Sequence, residues 1–130
     1  MILSDLLEVF YDYLSLYANN SNHYKYVKPL GMKYELPCIL YNITDYDLLS
    51  KKFGYNQTKN AILEVSILTQ DYDIMVDTAS ELEQLFEKVW DRELRQHGVR
   101  INSVRITPNT LNRGNQQIPV KQLLVNLIIS

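Results

Sequence analysis

Three carboxylates are placed where a divalent cation could be held beside a strand. Asp45 and Asp47 precede an alternating apolar segment that carries Glu64. Metal-dependent nucleases combine such acids with a Glu/Asp-x-Lys sequence, in which the carboxylates bind the cation and the lysine assists the attacking water. Ser66 occupies the position of that lysine. A small metal-dependent nuclease is therefore only a minor alternative for this chain.

A second group of acids resembles the start of a calcium-binding loop. Asp71 and Asp73 are followed by Asp77, but the central glycine and the distal glutamate of such a loop are missing. Aspartates at this spacing before an apolar periodic segment are typical of a helix start, where they cap backbone N–H groups. We interpret these acids as capping residues.

The remaining reactive side chains stand alone. His23 and His97 have no partner motif, and Cys38 lies in an apolar segment that favours an inert buried thiol. No phosphate-binding glycine loop, nucleophile elbow or zinc-binding helix motif is present in a chain with four glycines. The sequence therefore predicts a protein that is not an enzyme and that holds neither a cofactor nor a metal.

The charge of the chain changes sign along its length. The net charge of the 130 residues is −2, but residues 1–93 carry 15 acidic and 8 basic side chains, whereas residues 94–130 carry five basic and no acidic ones. Two interpretations come first: solvated faces that happen to carry different charges, or a head-to-tail contact between copies. Nucleic-acid binding is less favoured, because the basic residues are sparse and the whole chain is acidic.

Apolar residues at three- and four-residue spacing predict two helices. The first has an apolar row from Leu3 to Tyr17, with Ser4 or Asp5 as its N-cap, and ends near Ala18. The second begins after an Asp71 or Asp73 cap and stops at Gly98. Its outer face is acidic and carries Asp77, Glu81, Glu83, Glu87 and Asp91.

Alternating patterns predict four strands, over residues 38–43, 60–69, 99–106 and 122–129. A break in the alternation predicts a bulge near Asn102 and Ser103. The last strand is apolar on both faces, so we expect it to be central or covered on both sides. Residues 44–58 are predicted to be a long loop or a hairpin arm, and residues 108–117 a connection.

The order of these elements predicts the fold class. Helix, strand, strand, helix, strand, strand indicates an α+β fold with a single four-stranded, mainly antiparallel sheet and two helices packed on one side. We expect one domain over residues 1–130. The N-terminal residues lack the pattern of a signal peptide, and the apolar runs are too short to cross a membrane.

Tyrosine is abundant, with ten in the chain and eight of them before Asp47. Tyrosine is enriched at protein interfaces because it combines a large apolar area with a polar tip, although a general bias in composition accounts for the number equally well. The predicted interface residues are the aromatic side chains of the 44–58 segment and three arginines: Tyr46, Phe53, Tyr55, Arg100, Arg105 and Arg113.

The succession of segments resembles the tail-completion and tail-terminator proteins of tailed bacteriophages. The resemblance lies in the proline-led segment Glu35-Leu36-Pro37-Cys38-Ile39-Leu40-Tyr41, the alternating Ala61-Ile62-Leu63-Glu64-Val65-Ser66-Ile67-Leu68, and the long helix with Ala79, Leu82 and Leu85. A terminal pair of strands completes it.

This resemblance implies a structural role in the virion. It implies a homo-oligomeric ring, commonly of six subunits, that closes the head-proximal end of the tail tube and joins it to the head connector. The expected partners are other copies, the tail tube protein and the connector proteins, in a particle assembled in the host cytoplasm and without a membrane. Genome DNA would pass through without specific binding, and no active-site residues are implied.

Two other readings stay open. A head-completion stopper or adaptor would share the location, but those proteins are more often all-β or all-helical, unlike the predicted mixed order. An α+β binding domain of a cell, with no viral role, would also fit the composition.

Overall fold

The computed structural model describes residues 3–48, 59–113 and 115–129. Its elements are, in chain order, α1 (Leu3–Ser21), β1 (Tyr26–Pro29), β2 (Cys38–Leu48), β3 (Lys59–Leu68), α2 (Tyr72–Leu85), a π-helical turn (Phe86–Trp90), α3 (Asp91–Arg95), β4 (Val99–Arg113) and β5 (Gln116–Ile129). α2, the π-helical turn and α3 follow one another without a break and are called the second helix. None of the helices in the described ranges has the length and apolar content needed to cross a membrane.

The sheet has five strands in the order β1-β2-β3-β5-β4. β1 runs parallel to β2, and all other neighbours are antiparallel. The α+β class agrees with the prediction, but the predicted four-stranded sheet is wrong. The missed strand is β1, whose four residues are too few for an alternating pattern and whose partner lies in a separate segment.

Both helices pack on the same face of the sheet. Every second residue of β3, from Ala61 to Ile67, is fully buried against them, as the period of two in a strand requires. The core joins these side chains to Phe10 and Leu14 of α1 and to Leu82 of α2. Since one face is apolar along every long strand, this pattern fixes the side on which the helices lie.

The ends of the helices show which of the predicted caps and boundaries are correct. The carboxylate of Asp71 accepts hydrogen bonds from the N–H groups of Asp73 and Ile74, at 3.0 and 3.2 Å, which confirms the predicted cap. Ser4 and Asp5 were wrong as caps, because α1 already begins at Leu3. α1 ends at Ser21, three residues later than predicted.

The π-helical turn keeps one row of side chains facing the core. In a regular α-helix, residues four apart drift about 40° around the axis, so a row at this spacing would leave the core within a few turns. The wider π turn offsets the drift, and Leu82, Phe86, Trp90 and Leu94 all remain buried. Trp90 thereby stacks on Tyr13 of α1, with ring centroids 5.1 Å apart.

β4 and β5 form a hairpin much longer than predicted. They pair from Val99 with Ile129 to Arg113 with Gln116, so the predicted connection at 108–117 is wrong. Pro108 does not end β4, because β4 is an edge strand, and Pro119 lies in the part of β5 before Lys121, where β3 is no longer a neighbour. A strand that is unpaired on one side tolerates proline.

The bulge in β4 is confirmed, since the register shifts between Ile101 and Ser103. Asp91 of α3 supports it: its Oδ1 accepts the Ile101 N–H at 3.1 Å, and its Oδ2 pairs with Arg95 at 3.1 Å. The expected central position of β5 is also confirmed, between β3 and β4.

The two hairpins point to opposite ends of the sheet. β2 and β3 pair as far as Leu48 with Lys59, next to Ile129, whereas β4 and β5 end at Arg113. The predicted 44–58 segment falls partly in β2, which continues to Leu48 across an irregularity between Thr44 and Asp47. Residues 49–58 lie outside the described ranges.

Candidate functional site

One face of the sheet carries none of the described helices, and we call the part of it that no described residue covers the open face. It is formed by the strand residues that point away from the core. Its members with described side chains are Asn42, Thr44, Asn60, Ile62, Glu64, Arg100, Ser103, Arg105, Leu124, Asn126 and Ile128.

The other half of the same face of the sheet is covered by other segments of the chain. A small second core joins Cys38 and Leu40 of β2 to Leu68 and Val120. The 30–37 connection and the extended hairpin pack on it through Tyr34, Leu36, Leu111 and Ile118. The half of the sheet near Val99 and Ile129 is not covered by any residue that the structure describes.

Hydrogen-bonded amides mark the border between the two halves. Asn109 donates from Nδ2 to Gln122 Oε1 at 3.1 Å, and Gln122 donates from Nε2 to Ser66 Oγ at 3.2 Å. Ser66 and Gln122 are buried, so each needs such a partner. This row separates the second core from the open face.

The bulge places two predicted interface residues together. Arg100 and Arg105 are five positions apart, which in a regular strand would put them on opposite faces. Because the bulge between Ile101 and Ser103 adds one residue, Arg100 lies opposite Ile128 and Arg105 opposite Leu124, both on the open face. Both guanidinium groups are exposed and form no ion pair with residues that the structure describes.

The centre of the open face is apolar. Ile62, Leu124 and Ile128 are half-buried there, and no described residue forms a second layer over them. Sequence reasoning missed this cluster, because the apolar character of both faces of β5 was interpreted as a sign of a strand that is central or covered on both sides. Glu64, on the same face, lies two strands away from Arg105, about 10 Å at the usual strand spacing.

The opposite side of the molecule is acidic. The two helical regions, residues 3–21 and 72–95, carry ten acidic and three basic side chains. We define the acidic helix face by four of the five exposed acids of the second helix, Asp73, Asp77, Glu81 and Glu87; the fifth, Glu93, lies beside Tyr13. The first three are spaced four apart, and like charges at that spacing repel, at a cost of about 0.2–0.5 kcal/mol per pair.

An apolar groove runs beside these acids. It has a volume of about 370 Å³ and is lined by Tyr17 of α1 and by Glu81, Leu85 and Val89 of the second helix, among others. Val89 is 45% exposed. The Tyr17 hydroxyl donates a hydrogen bond to Glu81 across the groove, and burial, with this carboxylate beside it, raises the pKa of Tyr17.

Most of the tyrosines with described side chains belong to the fold. Burial raises the pKa of Tyr24 to about 12, and its hydroxyl shares a hydrogen bond with Thr78. Burial and the neighbouring Glu93 likewise raise the pKa of Tyr13 to about 12. Only Tyr11 and Tyr72 are largely exposed among the described tyrosine side chains.

The structure says less about the other four predicted interface residues. Tyr46 belongs to β2, within its irregularity, and Arg113 pairs with Gln116 at the end of the long hairpin. Phe53 and Tyr55 lie outside the described ranges. The interface role of all six residues stays a prediction.

The residues considered for chemistry are not brought together. Glu64 lies between Asn42 and Leu124 on the open face. Cys38 is fully buried and His97 is exposed. Within residues 3–48, 59–113 and 115–129, no three histidine, cysteine or carboxylate side chains are close enough to hold a metal ion.

A search of protein-family models finds no family that matches this chain. A search of curated proteins likewise finds no match.

Proposed function

We propose that the chain is a structural subunit of a tailed-phage neck, a tail terminator that assembles with copies of itself into a ring. The observation that supports this most is the charge distribution across the layered fold. Acids dominate the exposed side of the helices, whereas exposed arginines border an apolar centre on the opposite side. A subunit with complementary opposite sides suits heterologous contacts, which close into rings.

The ring would join two further partners, the tail tube protein below and the head connector above. The two hairpin ends support this part of the proposal, because they point away from each other along the strands. Surfaces at opposite ends of a subunit can contact different layers of an assembly. Genome DNA would pass along the axis, and an overall net charge of −2 disfavours tight binding of that DNA.

Salt dependence tests self-assembly directly. We expect association that increases with protein concentration at low salt and decreases markedly at 1 M NaCl, because the screening length falls from about 10 Å at 0.1 M to about 3 Å at 1 M. Light scattering after size-exclusion chromatography, at several protein concentrations and both salt conditions, measures the mass of the assembly. Electron microscopy of the same fractions shows whether the particles are closed rings.

Two results together would refute this function. The protein would remain strictly monomeric at millimolar concentration, and it would fail to bind the ends of purified tail tubes from the same phage. Tube decoration is included because a terminator that orders only on its tube would be monomeric in free solution.

A further inference from the structure

We propose that the open face of one copy receives the acidic helix face of the next copy. This inference rests on the proposed self-assembly and specifies its contact. It commits the uncovered half of the sheet to one occupant, the second helix of another copy of the chain.

The first argument is charge complementarity. Arg100 and Arg105 project from the open face without a described partner, and the exposed acids Asp77 and Glu87 of the second helix also lack one among the described residues. Arginine binds carboxylates through two parallel hydrogen bonds, so the two sets match in chemistry as well as in sign.

The second argument is that both surfaces combine apolar residues with charged residues beside them. The open face has an apolar centre of Ile62, Leu124 and Ile128 beside its arginines. The acidic helix face borders the groove that contains Leu85 and Val89. Protein interfaces are typically built in this way, with an apolar centre and a polar rim.

The third argument is the cost that the free subunit carries. Asp73, Asp77 and Glu81 repeat one charge along one line of the second helix. Arginines from a neighbouring copy would turn this repulsion into attraction. The contact would use a different surface on each copy, so each subunit would still offer one unused surface until a ring closed.

The size of the open face limits the strength of the contact. Four strands at about 4.8 Å and roughly 20 Å of strand length give a patch of about 400 Å², half of the ~800 Å² per partner in a typical stable complex. We therefore expect a weak contact that depends strongly on its charges.

A reciprocal charge swap tests the pairing. The first variant, Arg100→Glu with Arg105→Glu, makes the open face acidic. The second, Asp77→Lys with Glu87→Lys, makes the helix face basic. We expect each variant alone to associate at least about tenfold more weakly than the wild type. A one-to-one mixture should regain association, because each variant then meets a complementary surface on the other.

The matched control is Lys25→Glu with Lys33→Glu. It changes the net charge by the same amount as the first variant but alters neither surface. Its association should stay within about twofold of the wild type. Circular dichroism and urea unfolding show that each variant is folded.

The outcomes separate this pairing from self-assembly itself. If the wild type associates but the first variant associates equally well, or if the mixture stays monomeric, the pairing is wrong and self-assembly stands. If the control weakens association as much as the first variant, net charge is responsible and the pairing is again wrong. Binding of DNA by the wild type that the first variant abolishes, without any association, would assign the arginines to nucleic acid and overturn both.

Discussion

At the scale of single residues, the tyrosines show how a side chain that suggests an interface can belong to the fold. Tyr13 stacks on Trp90, Tyr17 binds Glu81 and Tyr24 binds Thr78. Each of these contacts joins α1, or the segment after it, to the second helix. An abundance of tyrosine in the sequence could not reveal this, because the partners are distant in the chain.

Tyr13 predicts a loss of stability in alkali. Its pKa in the folded protein is raised to about 12, above the ordinary value of 10, so the folded state holds this proton more tightly than the unfolded state. The stabilisation is complete below pH 10 and is lost as the pH rises towards 12. In Tyr13→Phe, which keeps the ring, we expect the free energy of unfolding to fall less steeply over this range.

Urea unfolding followed by circular dichroism at pH 9 to 12 measures the effect. Tyr72→Phe, which removes the hydroxyl of an exposed ring, is the control and should follow the wild type. Equal pH dependence of Tyr13→Phe and the wild type would contradict the assignment.

At the scale of elements, the predictions that succeeded depended on local chemistry. The cap at Asp71 and the bulge near Ser103 each follow from residues close together in the chain. β1 was missed because its four residues form a strand only through pairing with β2. The long hairpin was missed because Pro108 breaks a central strand but not an edge strand.

Two substitutions at Asp71 separate the contribution of its capping hydrogen bonds to stability from the contribution of its charge. Asp71→Ala removes the acceptor for two N–H groups and should lower the free energy of unfolding by about 1 kcal/mol. Asp71→Asn keeps an oxygen acceptor and loses only the charge, so it should cost a few tenths of a kcal/mol. Urea unfolding at pH 7 distinguishes the two, and equal losses would mean that the charge, not the cap, matters.

At the scale of the whole molecule, the change of sign along the sequence becomes a difference between two sides. The sequence could predict the change of charge along the chain. It could not predict the difference between the two sides, because the side on which an arginine lies depends on strand register. Arg100 and Arg105 share the open face only through the bulge. The apolar cluster of Ile62, Leu124 and Ile128 likewise emerges only when three strands are brought together by the sheet.

This arrangement predicts a trade-off between the stability of the subunit and its assembly. Asp77→Asn removes two repulsive pairs, with Asp73 and Glu81, and should stabilise the isolated subunit by about 0.4–1 kcal/mol. The same change should weaken association, because it removes a carboxylate from the proposed contact. Thermal unfolding of the monomer and light scattering of the assembly measure the two effects, and a change of both in the same direction would argue against the trade-off.

The bulge in β4 also has a consequence for the alignment of this chain with related sequences. A relative that lacks one residue near position 102 would keep both basic side chains on the same side only if they were four positions apart rather than five. A single-residue gap in an alignment at this point should therefore coincide with a shift in the spacing of the basic residues. Deleting Asn102 by itself would remove the bulge and keep every other residue of β4 on its present side, because Ile101 and Ser103 already lie opposite adjacent residues of β5.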